Sequence, residues 1–216
     1  MTESLTRPQV AATDGLDDWR IIHRTIQASF RTGSMAAGVD FVARIGPLAD
    51  AANHHPDLTV TYPRVHVLLT THDTGGLTTR DVDLAREISG VASELGIDAD
   101  PSAPAAVEIA IDAIDIPAVK AFWEAVLGYE ADGDDDSSDP HSRGPGVWFQ
   151  QMDEPRTERN NIHIDVAVPH DVADDRIAAA IAAGGTLVSD AAAPAFWVLA
   201  DPEGNEACIC TWQGRD

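Results

Sequence analysis

Between residues 79 and 95 the apolar side chains Leu84, Ile88, Val91, Ala92 and Leu95 recur three or four positions apart. That spacing gathers them into one stripe of an amphipathic helix. Residues 35–52 read as an earlier helix, and residues 19–30 hold enough β-branched and aromatic side chains for one or two strands. Residues 59–71 read as one long strand. In the second half, residues 106–113 predict a strand, and Asp115 is placed to cap a helix that buries Val119, Phe122, Trp123, Val126 and Leu127 until Gly128 ends it. Further strands are expected at 146–152, 196–200 and 206–212.

A break falls at residues 98–104, where helix periodicity has stopped at Gly96 and Pro101 and Pro104 precede a fresh strand. The expected organisation is a flexible start (1–14), a first domain (15–97), a linker (98–104) and a second domain (105–216). Within the second, Val107-Glu108-Ile109 lines up with Ile162-His163-Ile164, and each is followed at helix-start distance by an aspartate able to cap, Asp115 and Asp171. This reads as a repeated strand–helix unit. Residues 131–144 carry Asp132, Asp134, Asp135, Asp136 and Asp139 among glycine, serine and proline, and predict a mobile solvated loop. Strands and helices mixed in this order point to an α+β protein.

Of the 216 residues, 44% are hydrophobic and 23% charged, the balance of a water-soluble chain. Fourteen basic against 36 acidic side chains give a formal charge of −22, spread along the sequence. Such a field repels phosphate backbones and anionic lipid, so no nucleic-acid or membrane partner is expected, and solubility at high salt is the plainer explanation of the charge. Residues 1–15 lack the basic start and apolar core of a secretion signal, and no run approaches the roughly 18 apolar residues of a membrane span; a cytoplasmic protein is expected. Cys208 and Cys210, two apart, are too close for a usual disulfide framework and are expected to be reduced.

Four of the eight histidines fall between Asn53 and His72. Imidazole titrates near neutrality, so such a cluster suits chemistry in which one group gives a proton and another takes one. His54 and His55 lie between a helix and a strand, with Pro56 biasing His55 toward extended backbone. On one long strand, His66 and His72 would share a face. Asp50, one turn before His54, could accept a hydrogen bond and orient a ring. Thr78 and Asp81 have the spacing of a capping box, so Asp81 could do no more than begin a helix. For His23 and His66 a structural role is the expected one. Adjacent His54 and His55 cannot easily share one tetrahedral ion, and no cysteine is near, so no metal is expected in this half.

The run Asp50, His54-His55-Pro56, Tyr62, His66, His72, Gly75-Gly76-Leu77-Thr78 and Asp81 resembles the pterin-4a-carbinolamine dehydratases over residues 15–97. The resemblance implies an antiparallel sheet with helices on one face. It also implies elimination of water from a 4a-hydroxytetrahydropterin to give the quinonoid dihydropterin, without metal or organic cofactor. By the same resemblance His54 and His72 are the acid/base pair, His55 positions the pterin, Asp50 and Asp81 orient the histidines, and the chain forms a homo-oligomer. The alternative is a pterin-binding or regulatory module without turnover. Asp50 stands where that family often has the longer Glu, and Leu58 where a tryptophan is common.

Residues 105–213 resemble the glyoxalase-like branch of the vicinal oxygen chelate superfamily. The likeness runs through Asp115 with Phe122-Trp123-Glu124-Ala125-Val126-Leu127-Gly128, through Asn161-Ile162-His163-Ile164-Asp165 and through Asp201-Pro202-Glu203-Gly204-Asn205-Glu206. It implies paired βαβββ modules and, carried over by position, the donors Glu108, Gln150 or Gln151, His163 and Cys208. A pocket lined by Trp148 and Phe196 is the other expectation for this half, and a metal-dependent lyase or dioxygenase-type activity a further alternative.

Overall fold

The computed structural model describes residues 4–156, 158 and 162–214, and the chain divides into two compact units, residues 1–106 and 107–216. The first unit runs α1 (Arg7–Ala11), β1 (Arg20–Ile22), β2 (Thr25–Arg31), α2 (Met35–Ala52), β3 (Asp57–Thr61), β4 (Arg64–Leu69), a 3-10 turn (His72–Thr74), α3 (Thr79–Glu94) and β5 (Asp98–Ala99). Its sheet has the order β1-β2-β4-β3, antiparallel throughout, and β5 adds to β2. On β4 the alternating residues Val65, Val67 and Leu69 are buried. They join Phe41 and Ile45 of α2 and Leu84, Ala85 and Ile88 of α3 in one core, where Phe30 meets Phe41 edge to face at 5.0 Å. Burying each such side chain contributes about 1.5–3 kcal/mol, which fixes the helices on the sheet.

Three expectations for this unit are corrected. The run 59–71 is two strands, because Pro63 cannot donate to a ladder and the chain reverses at Tyr62–Pro63. His72 therefore lies in the 3-10 turn, off the strand that carries His66. The start expected to be flexible holds α1, whose Val10 is 1% exposed within the core.

The second unit runs β6 (Glu108–Ala113), α4 (Ile116–Leu127), β7 (Glu130–Ala131), β8 (Asp136–Ser138) and β9 (Gly146–Gln151), then β10 (Ile164–Ala167), α5 (Ala173–Ala182), β11 (Thr186–Ser189), β12 (Phe196–Ala200) and β13 (Glu206–Cys210). The sheets β6-β9-β8-β7 and β10-β13-β12-β11 share one plan, each with its first strand parallel to its last. The repeat in the sequence is thus a pair of βαβββ modules. The turn after β12 ties them together: Glu203 accepts from the amides of Ile114 and Asp115, and buried Asp201 accepts from the indole of Trp123 at 3.0 Å.

Asp115 caps α4 by accepting from the Ala118 amide, and Gly128 ends it in the left-handed region (φ 73°). Asp171 does not play the matching part. Val172 is the cap residue of α5, and no side chain closes it. Residues 131–144, expected to be a mobile loop, include β8 and a turn in which Asp139 accepts from the amides of His141, Arg143 and Gly144. Those three donors hold the Asp139 carboxyl below its usual range.

Candidate active site

Asn53 ends α2 in the left-handed region (φ 45°), a conformation asparagine tolerates, and this turns the chain so that His54 points into the unit. Its Nε2 lies 2.7 Å from Asp81 Oδ1, with His54 6% exposed and Asp81 fully buried. The other oxygen, Oδ2, accepts from the Thr71 hydroxyl at 2.7 Å and from the Thr78 amide at 2.7 Å. The expected capping box is present, and Asp81 serves it while gripping His54. Every neighbour of this carboxylate can donate, so the tautomer with the proton on Nε2 is the one that matches Asp81, and Nδ1 is the ring's other nitrogen.

The other members are placed differently. Asp50 meets His55 instead of His54: His55 Nε2 is 3.2 Å from Asp50 Oδ1, and both side chains are exposed. His72 is exposed at the start of its turn. It directly follows Thr71, whose hydroxyl is bonded to the carboxylate that grips His54, so Asp81 links the two histidine segments. Arg80 went unnoticed in the sequence. Its guanidinium reaches Asp73 at 3.4 Å, while its buried Nε has no partner among the described residues. His66 is half-buried on β4 opposite Ser29 and Thr59, and His23 sits in the β1–β2 turn at φ 52°.

In the second unit the donors implied by position do not assemble as a set. His163 and Cys208 come together, and the third member is Asp165, with the three ligand atoms all within 4.8 Å of one another. Glu108 is outside this group, and Gln151 spends its amide nitrogen on the carbonyls of Ala113, Ile114 and Met152. Asn161 lies outside the described residues. Burial, followed by its hydrogen bond with Asp165, pushes the Cys208 thiol up to about 11. Cys208 and Cys210 are both buried and reduced. Two cavities of about 320 and 410 Å³ share Asp112, Arg156 and Asn205 in their walls, and neither is lined by Trp148 or Phe196. Among the described residues no helix is long and apolar enough to cross a membrane.

Comparison with known proteins agrees with this division. Residues 3–91 match the family described as pterin 4 alpha carbinolamine dehydratase, and residues 108–210 match the one described as a glyoxalase-like domain. A Cyanothece protein named "Putative pterin-4-alpha-carbinolamine dehydratase" is 45% identical over 74 residues, 34% of this chain and 76% of its own length. A Brucella melitensis crystal structure described as a transcriptional coactivator/pterin dehydratase is 30% identical, covering 42% of this chain and 99% of its own, with a TM-score of 0.40. A glyoxalase/bleomycin resistance protein/dioxygenase family enzyme from Burkholderia phytofirmans is 22% identical, covering 48% of this chain and 95% of its own, with a TM-score of 0.39.

Proposed function

Because this chain belongs to the pterin-4-alpha-carbinolamine dehydratase family through its first unit, we propose that it eliminates water from a 4a-hydroxytetrahydropterin by histidine acid/base catalysis. The observation that carries the reading is the fully buried carboxylate of Asp81, which binds His54 through one oxygen and the root of the His72 turn through the other. A ring held by one nitrogen keeps its orientation and presents the other nitrogen, as acid/base work requires.

Dehydration breaks the C4a–O bond and forms the C4a=N5 double bond. One imidazolium delivers a proton to the departing hydroxyl, which leaves as water, while a neutral imidazole takes the proton from N5. His54 and His72 carry these two transfers, and each contributes a factor of roughly a hundred or more. His55, steadied by Asp50 at the surface, positions the ring system. Carbon, oxygen and protons balance without any further reagent.

His72 is exposed, so His72→Ala removes an acid/base group without opening the core. His54 is buried against Asp81, and an alanine there would strand the carboxylate, so His54→Gln, which can still donate to Asp81, is the sounder variant. Stopped-flow dehydration of freshly generated 4a-hydroxytetrahydropterin should be slowed roughly a hundredfold by each, with unchanged circular dichroism. A native rate equal to the uncatalysed one would leave a pterin-binding module instead.

A further inference from the structure

We propose, resting on the dehydratase reading above, that residues 4–10 form a strap that positions His72, with the Leu5 amide as its decisive contact. Three fastenings hold the strap. Thr6 and Gln9 close a capping box at the start of α1, Val10 is 1% exposed in the first core, and Arg7 Nε donates to the His23 carbonyl at 2.8 Å. The residues before the helix are thereby delivered to one place. There Ser4 pairs antiparallel with Thr78, and the Leu5 amide donates to the Leu77 carbonyl at 2.8 Å. Leu5 is half-buried and packs on the core that also holds Leu77.

Residues 76–78 are thus bonded from two sides. The strap accounts for one. On the other, the Thr71 amide donates to the Gly76 carbonyl at 2.9 Å and the Gly76 amide to the Thr71 carbonyl at 3.4 Å. This pair closes the base of the turn that carries His72, whose return runs through Gly75 at φ 62°. Thr78 gives its amide to Asp81, the carboxylate that holds His54. A shift of residues 76–78 would therefore reach His72 through Thr71 and His54 through Asp81.

The two histidines differ in what holds them. The His54 ring is gripped by Asp81, whereas the exposed His72 ring makes no hydrogen bond among the described residues, so the backbone of its turn alone sets where it stands. That backbone returns through Gly75 and Gly76, the residues with most conformational freedom to lose. A pairing on one side leaves such a stretch free to swing, and a second pairing on the other side removes the swing. A misplacement of about 1 Å can cost a reaction a factor of roughly a hundred, so a turn that is displaced part of the time should lose about a factor of ten.

In the full-length chain, Leu5→Pro removes the amide donor, and the extended backbone that proline favours in the residue before it suits the pairing of Ser4 with Thr78. Leu5→Ile keeps the donor. Ile88→Val thins the same core away from the strap and lowers stability without touching it. At a temperature where circular dichroism shows all of them folded, Leu5→Pro should lower kcat roughly tenfold with KM unchanged, because the strap touches no substrate. Amide exchange at Thr71 and Gly76, followed by NMR, should quicken roughly three- to tenfold, the effect of one lost hydrogen bond. Leu5→Ile should keep native values of both, and Ile88→Val should lower the thermal midpoint while keeping kcat. Native exchange or full kcat in Leu5→Pro overturns the strap, and so does an equal loss of kcat in Ile88→Val, which would trace the effect to stability alone. A native chain no faster than the uncatalysed reaction fails the dehydratase reading instead, and exchange at Thr71 and Gly76 then decides the strap by itself.

Discussion

Asp81 accepts hydrogen bonds on both oxygens in a place with no exposed surface, and an ionised carboxylate there without partners would cost several kcal/mol. It thus anchors the helix start and His54 at once, and on the proposed reading its role is chemical as well. Asp81→Asn keeps the volume but turns an amide NH2 toward groups that themselves donate. At least one buried donor is then unmet, and destabilisation by about 1–3 kcal/mol is expected in urea unfolding, together with slower dehydration. Asp50→Asn at the exposed His55 pair should change stability by no more than about 1 kcal/mol, because solvent screens that pair. Equal stability losses in the two variants would contradict the assignment of Asp81 as the anchor.

At the scale of elements, Asp100 secures the end of the first unit. It accepts from Ser102 at 2.6 Å, Arg31 at 2.8 Å and Arg64 at 2.9 Å, so β5 is pinned to β2 and β4. The Ser102 hydroxyl first, then Arg31 and Arg64, hold its carboxyl well below the ordinary 3.8. A carboxyl lowered in the folded state contributes stability above its unfolded pKa and loses it as pH falls through the folded one. Asp100→Asn should therefore lower the thermal midpoint at pH 7, and the gap to the native protein should narrow steadily below about pH 4. A gap independent of pH would assign the clamp to shape alone.

The same scale shows what was legible. Helix periodicity located α3 because its stripe is long and its cap, the Thr78–Asp81 box, is chemically distinct. The strand at 59–71 was overextended because its apolar alternation continues on both sides of Pro63, and only the missing N–H marks the reversal. His72 was misplaced with it, although Asp73, Thr74 and Gly75 are turn formers. β11 was overlooked because Thr186 to Ser189 is only four residues long and mostly exposed. Asp165 is legible as part of the glyoxalase-like motif, but its pairing with Cys208 is not, because the two are neighbours through strand pairing and far apart in sequence.

For the whole molecule, two separate cores imply two units able to fold apart. Phe30, Phe41, Ile45, Leu84 and Ile88 anchor one, and Phe122, Phe149, Leu199 and Ile209 the other. Each unit is about the size at which a single core sustains folding, roughly 100 residues. Of the formal charge of −22, residues 1–106 carry −6 (8 basic, 14 acidic) and residues 107–216 carry −16 (6 basic, 22 acidic), which acts against compaction, so the comparison belongs at roughly 0.1 M salt or above, where repulsion is screened beyond about 10 Å. Produced separately, residues 1–106 should unfold cooperatively and dehydrate the pterin in the presence of chelator. Residues 107–216 should unfold independently and dehydrate nothing. Urea unfolding of each half, compared with the intact chain, checks this. If the first half folds but its dehydration rate falls to the uncatalysed one, the second unit takes part in the reaction, and its cavities and the His163 cluster become the place to look for how.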